Sequence, residues 1–166
     1  MQLAKLLTRT DRTRFEHCVV SLINAGPVGE MIRAQGTPVY SLGMKRSVPS
    51  LSGLWKLWRL ICTEQPQILQ TWLYHADLLG LLVAKLANVP ALVWNLRCSL
   101  VDMHYYPKLS ALVVRILSRL SAIPDVVIVN SKAGREAHAH IGYHPKRFEF
   151  IPNGFELDRF RPDSSA

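Results

Sequence analysis

Hydrophobic residues along the chain form short apolar runs that alternate with longer segments of helical spacing. The runs are five to nine residues long, and several are apolar almost throughout. Strands of this kind are typical of a parallel sheet that is covered by helices on both faces. The pattern predicts six strands, at residues 15–23, 38–42, 68–73, 91–96, 126–130 and 148–152.

Between these runs, apolar residues recur every three or four positions, which predicts amphipathic helices. Ser50 and Ser131 stand where N-caps would begin two helices, and Gly36 and Pro66 stand where two would end. The alternation of strand and helix predicts an α/β fold with a Rossmann-like, doubly wound parallel sheet. The predicted helices are an opening one around residues 3–7, followed by 28–35, 49–64, 75–88, 108–122 and 132–141.

Composition narrows the class of protein. A chain of 166 residues with 49% hydrophobic and 19% charged residues fits one globular domain. Its three cysteines form no CxxC pair, and the opening segment lacks the apolar block of a signal peptide. Both features favour reduced thiols and a cytoplasmic location.

The charge balance suggests an anionic partner. Twenty basic and twelve acidic residues give a net charge of +8. Such an excess favours phosphate groups, an acidic membrane surface or nucleic acid, and a solvated basic face is the alternative.

Two apolar helices raise the question of a membrane. Residues 109–124 are interrupted by Arg115 and Arg119, which predicts a helix of the protein rather than a membrane span. Helix 49–64 carries Lys56 and Arg59 beside an apolar stripe. We expect the stripe to pack in the core, and peripheral association with an anionic leaflet at the inner membrane face is the alternative. The stripe consists of Leu51, Leu54, Trp55, Trp58 and Ile61.

Candidate site residues follow the strands, because ligands of a doubly wound sheet bind at the carboxyl ends of its strands. His75 and Asp77 follow the third strand and could bind a substrate hydroxyl or assist proton transfer; capping the next helix is the alternative. Asn95 and Arg97 close the fourth strand, and the guanidinium of Arg97 suits a phosphate or carboxylate. An ion pair with an acid such as Asp102 is the alternative for Arg97.

The fifth strand leads into Ser131 and Lys132, which could form a phosphate-binding rim at a helix start, although capping alone explains the serine. His138, His140 and His144 are poorly spaced for one metal ion, and we predict no metal site. Glycine-rich dinucleotide, Walker and GxSxG motifs do not occur, so dehydrogenase, P-loop and serine-hydrolase functions lose their usual support.

The segment IPNGFELDRFRP at residues 151–162 closely resembles the end of the amino-terminal domain of family-4 glycosyltransferases, where an (I/V)PNG(V/I)D…F.P signature precedes the interdomain linker. Phe155 and Glu156 replace the commoner Val and Asp. Asn153 and Gly154 form a turn that tolerates positive φ. The resemblance continues upstream through residues 68–99 and covers roughly residues 1–162.

The resemblance implies that residues 1–162 are the acceptor-side domain of a two-domain GT-B enzyme and that residues 163–166 begin its linker. Such an enzyme transfers a sugar from a nucleotide-sugar to a hydroxyl acceptor, with retention and without a metal or other cofactor. A carboxyl-terminal domain, supplied in cis or in trans, would bind the donor. His75, Asp77, Asn95 and Arg97 would bind the acceptor, Asn153 and Gly154 would lie at the hinge, and the catalytic base is left unassigned.

In this family a first strand and a glycine-rich loop precede the helix that opens this chain, and a Glu-x7-Glu motif lies in the donor domain. We recognise neither here, and therefore expect a gap inside the sheet, self-association through unpaired edges, and no activity of the chain alone. The alternatives are a non-catalytic module for an anionic lipid or glycan and one half of a split transferase. Nucleic-acid binding is not predicted, because no basic stripe with interleaved aromatics occurs.

Overall fold

The computed structural model describes residues 2–45, 50–98 and 106–154. Within these ranges strands and helices alternate along the chain, beginning with a helix. The strands are β1 Val19–Ser21, β2 Val39–Ser41, β3 Ile68–Trp72, β4 Ala91–Leu96, β5 Val126–Val129 and β6 Phe148–Phe150. The helices are α1 Gln2–Arg9, α2 Gly26–Ala34, α3 Leu51–Glu64, α4 Tyr74–Leu86, α5 Lys108–Leu120 and α6 Lys132–His140.

The strands form two separate sheets, and every pair is parallel. β1 pairs with β2, and the larger sheet has the order β3-β4-β5-β6. Each connection between neighbouring strands of the larger sheet contains a helix, as parallel pairing requires. The predicted α/β class with a Rossmann-like parallel arrangement is confirmed.

The serine caps are also confirmed. The hydroxyl of Ser50 accepts the Gly53 N–H at 3.1 Å, and that of Ser131 accepts the Gly134 N–H at 2.9 Å. α3 ends at Glu64, and its C-cap Gln65 adopts a left-handed conformation with φ of 44° directly before Pro66. The capping side chains satisfy N–H groups that the first helical turn leaves without partners.

The predicted first strand, residues 15–23, is too long. Only Val19–Ser21 forms a strand, in which each residue is paired with one of the three residues of β2, Val39 to Ser41. Phe15 lies outside the ladder, where it is exposed and stacks on His17 with ring centroids 6.3 Å apart. An apolar run becomes a strand only over the length that a neighbouring strand pairs.

Side chains of the larger sheet alternate between two faces, as the pleat requires. One face carries the main core, in which Trp94, Val127 and Val129 are buried against α4 and α5. The register places Trp72, Asn95 and Ile128 on the opposite face, since Trp72 pairs with Asn95 and Asn95 with Ile128. A pocket forms on this second face.

The apolar stripe of α3 is a correction to the sequence prediction. Leu57 and Ile61 are buried in the core, whereas Leu51, Trp55 and Trp58 are 87%, 54% and 38% exposed. The core-facing side of the helix is centred on Gly53, Leu57 and Ile61, at i, i+4 and i+8, and not on the tryptophans. Helical spacing identified an amphipathic helix but not which part of its wide apolar surface meets the sheet.

A groove of about 420 Å³ separates β1 from the end of β3, and its walls include Val20, Leu22, Trp72 and Leu79. It lies where the resemblance led us to expect a gap in the sheet. The Val19 N–H donates to Pro38 O at 2.9 Å. Because successive residues of a strand direct their backbone N–H and C=O groups to opposite edges, those of Val20 point away from β2. The backbone edge of β1 at Val20 is therefore open toward the groove.

A matched pair of proline substitutions tests which side of β1 is open. Val19→Pro removes a ladder hydrogen bond to Pro38, whereas Val20→Pro removes an N–H that faces the groove. We expect Val19→Pro to lower the free energy of unfolding by about 1–2 kcal/mol more than Val20→Pro does. Urea unfolding of both variants measures the difference, and equal losses would contradict the assigned direction of the open edge.

Candidate functional site

A pocket of about 330 Å³, lined by both apolar and polar side chains, lies between α1 and the second face of the larger sheet. We call it the Asn95–Arg97 pocket, after two residues at the carboxyl end of β4, of which Arg97 directly follows the strand. The segment that follows β6 completes it at Asn153 and Gly154. The pocket thus combines two acceptor-binding residues and both hinge residues that the sequence predicted at separate places.

Arg97 is held from two sides. Its guanidinium carbon lies 4.5 Å from the centre of the Trp72 ring, and Nη1 donates to Asn153 Oδ1. Partial burial lowers the pKa of Arg97 from its ordinary value. An arginine side chain nevertheless keeps its charge in proteins. A stacked and hydrogen-bonded arginine presents a fixed positive charge to an anionic group.

Asn95 brings a hydrogen-bond acceptor to the same pocket. The side chain is only 2% exposed, and its Oδ1 has no partner among the described residues. An unsatisfied buried amide oxygen costs about 1–3 kcal/mol, which a ligand hydroxyl could recover by donating to it. The pair of Asn95 and Arg97 therefore suits a ligand that carries both a hydroxyl and a negative charge.

α1 supplies the opposite wall, a contribution that sequence reasoning missed. Gln2, Lys5 and Arg9 line the pocket from one helix face, and Gln2 Nε2 donates to Gly154 O at 3.4 Å. None of the described lining residues is acidic. The spacing of these three polar residues identifies a helix face, but nothing local indicates that this face meets the end of β4.

His75 lies elsewhere. It borders the groove between the two sheets together with Trp72 and Leu73, and its Nε2 is buried without a partner among the described residues. Leu73 has a φ of 76°, which turns the chain sharply from β3 into α4. The turn directs His75 into the groove and not into the Asn95–Arg97 pocket. The structure thus separates His75 from Asn95 and Arg97, which the sequence prediction placed at one acceptor site.

Asp77 is part of the interior. The side chain is fully buried, Oδ1 accepts the Thr71 hydroxyl at 2.5 Å, and Oδ2 has no partner in the described chain. Burial raises the pKa of Asp77 to about 8, and the hydrogen bond from Thr71 opposes that rise. Asp77 borders neither cavity, so this position argues against the predicted contact with an acceptor, and we leave the residue out of the site.

The raised pKa of Asp77 predicts a distinctive pH dependence of stability. The folded protein keeps this proton up to about pH 8, whereas the unfolded chain releases it near pH 4. The free energy of unfolding should fall by roughly 1.4 kcal/mol per pH unit across that window because of this group. Asp77→Asn keeps an acceptor for Thr71 and carries no titrating proton, so the stability of this variant relative to wild type should rise with pH from 5 to 8. Urea unfolding at several pH values measures it, and parallel curves would contradict the assignment.

Ser131 and Lys132 lie at the start of α6. The Ser131 hydroxyl is engaged by the Gly134 N–H, and Lys132 is the exposed first residue of the helix. Neither residue borders the Asn95–Arg97 pocket. Capping accounts for the serine, and the phosphate-binding role of this pair stays a prediction.

The three histidines near α6 have different surroundings. His138 is fully buried: Nδ1 donates to Gly134 O at 2.6 Å and Nε2 accepts the Tyr74 hydroxyl at 2.9 Å. Burial lowers the pKa of His138, which favours this neutral form, while burial raises the pKa of Tyr74 and keeps its hydroxyl protonated. His144 contacts Gly142 and Ser121 instead, and His140 is exposed. Within the described residues, no group of three or more potential ligands could hold a metal ion.

Fold and pocket together define a class: a Rossmann-like α/β domain with a pocket beside the carboxyl end of a central parallel strand. The chain belongs to Glycosyltransferase Family 4, whose family model matches residues 2–159. No curated protein and no solved structure matches it. The resemblance in the sequence is thereby confirmed, and the domain is of the glycosyltransferase type. In the described part of the chain, no helix has the length and apolar character needed to cross a membrane.

Proposed function

We propose that this chain is the acceptor-binding half of a glycosyltransferase, which transfers a sugar from a nucleotide-sugar to a hydroxyl acceptor. Membership in the family supports the reaction class. We place acceptor binding in the Asn95–Arg97 pocket because the buried Oδ1 of Asn95 has no partner among the described residues and lies in the same pocket as the guanidinium of Arg97, which stacks on Trp72. A carboxyl-terminal domain, in cis or in trans, would bind the donor, and this chain alone would be inactive.

The two residues have separate roles in the proposal. Arg97 binds a phosphate or carboxylate of the acceptor through charge-assisted hydrogen bonds. Asn95 accepts a hydrogen bond from an acceptor hydroxyl and so orients the molecule. The bond from Arg97 to Asn153 couples acceptor binding to the segment that leads out of β6. Retention of the anomeric configuration and independence from metal belong to the proposal, and none of the described residues is assigned as the base.

Acceptor binding by the chain itself can be measured with a matched pair of sugars. We expect glucose 6-phosphate to bind more tightly than glucose, and Arg97→Gln to remove most of that difference, about tenfold or more in affinity. Titration calorimetry or ligand-observed NMR gives the affinities. Arg115→Gln, which removes an exposed arginine of α5 outside the pocket, is the charge-matched control and should bind like wild type.

A second variant separates the hydroxyl contact from the charge contact. Asn95→Leu keeps the branching and the number of side-chain heavy atoms and removes the acceptor oxygen, so the affinity for both sugars should fall by about fivefold. Unchanged binding in both Arg97→Gln and Asn95→Leu would place the acceptor elsewhere.

The reaction class needs a complete enzyme. Joining this chain to a family-4 donor domain should give nucleotide-sugar hydrolysis above that of the donor domain alone, and Arg97→Ala should lower transfer to an anionic acceptor more than hydrolysis by water. A fusion that folds and binds the nucleotide-sugar but neither hydrolyses nor transfers it would contradict the proposed reaction.

A further inference from the structure

The outward face of α3 carries a continuous apolar stripe that no part of the described chain covers. Its members are the exposed side chains of Leu51, Trp55, Trp58 and Cys62. At 100° per residue these four positions fall within about 60° of helix surface, next to the face that Leu57 and Ile61 bury. Leu51 is 87% exposed, and the two indoles rank among the large apolar side chains left in water. Exposed apolar patches of this kind mark interaction surfaces.

Positive charge borders the stripe on one side. The Arg59 guanidinium lies 5.5 Å from the centre of the Trp55 ring, and Lys56 is exposed one position beyond Trp55. Glu64 is the single acidic residue of the described helix, where it stands at the carboxyl end and accepts a hydrogen bond from the Tyr40 hydroxyl at 2.8 Å. The surface is therefore complementary to a negatively charged partner along most of its length.

Two properties favour a lipid bilayer as that partner. Indole rings have an apolar body and a polar N–H, which suits the boundary between headgroups and acyl chains, and long basic side chains reach from there to lipid phosphates. A second copy is disfavoured, because a symmetric contact brings the same patch onto itself and would place Lys56 and Arg59 of both copies together without acidic partners. α3 has 14 residues, so it would lie in the plane of the interface rather than cross it.

We propose that the outward face of α3 docks this domain on an anionic lipid bilayer. Leu51, Trp55 and Trp58 enter the boundary between headgroups and acyl chains, and Lys56 and Arg59 contact the lipid phosphates. The surface shares no residue with the Asn95–Arg97 pocket. The inference therefore stands independently of the proposed sugar transfer.

Vesicle co-sedimentation tests the proposal. The chain should bind vesicles made of equal parts phosphatidylserine and phosphatidylcholine and bind pure phosphatidylcholine vesicles far more weakly. Trp55→Ser with Trp58→Ser should lower the partition coefficient at least ~10-fold. Lys56→Gln with Arg59→Gln should lower it by roughly fivefold per charge at low salt. Leu86→Ser with Leu112→Ser removes two other exposed leucines, 67% and 52% exposed on α4 and α5, and should bind like wild type.

Several results would overturn the inference. Absence of binding to the mixed vesicles would do so, as would equal binding by wild type and the double tryptophan variant. A wild-type dimer that the tryptophan substitutions dissociate, without vesicle binding, would assign the surface to a protein contact instead. If circular dichroism shows that the double tryptophan variant is unfolded, Leu51→Ser replaces it: this side chain is almost fully exposed, and the partition coefficient should still fall several-fold.

Discussion

The register of β4 is the constraint on which the rest of the structure depends. Successive side chains of this central strand point to opposite faces, so Trp94 and Leu96 enter the core beneath α4 and α5 while Asn95 faces the pocket. Pairing with β3 and β5 fixes that assignment over the whole strand. A shift by one residue would bury Asn95 among leucines and expose an indole. Core packing therefore sets the position of Asn95 in the pocket. The same packing and strand pairing hold β4 in place.

Polar groups inside the core carry a cost that the surrounding structure only partly offsets. Thr71 supplies one hydrogen bond to Asp77, and the second carboxyl oxygen lacks a partner within the described residues. His138 shows the opposite case, since Gly134 and Tyr74 satisfy both ring nitrogens. A buried carboxyl that stays protonated is cheaper than a buried carboxylate, which is why burial raises the pKa of Asp77 rather than leaving it charged.

The division into two sheets separates two cavities as well as two sets of strands. The Asn95–Arg97 pocket belongs to the larger sheet and α1, whereas His75 borders the groove between the sheets. Trp72 connects the two places, because its ring stacks under Arg97 while its position at the end of β3 also borders the groove. Trp72 therefore gives the two cavities a physical link.

Local pattern in the sequence determined the element order, the parallel α/β class, the serine caps at Ser50 and Ser131, and the family through the motif that contains Asn153 and Gly154. These features depend on residues close in the chain, where spacing and side-chain chemistry act directly. Tertiary structure alone decided that Arg97 contacts Asn153 and Trp72 and that α1 lines the same pocket as Arg97 and Asn153. It also decided that Asp77 is buried and that Trp55 and Trp58 are exposed. Each of these outcomes depends on which helix face packs where and on strand register, and those are settled by contacts between residues far apart in the sequence.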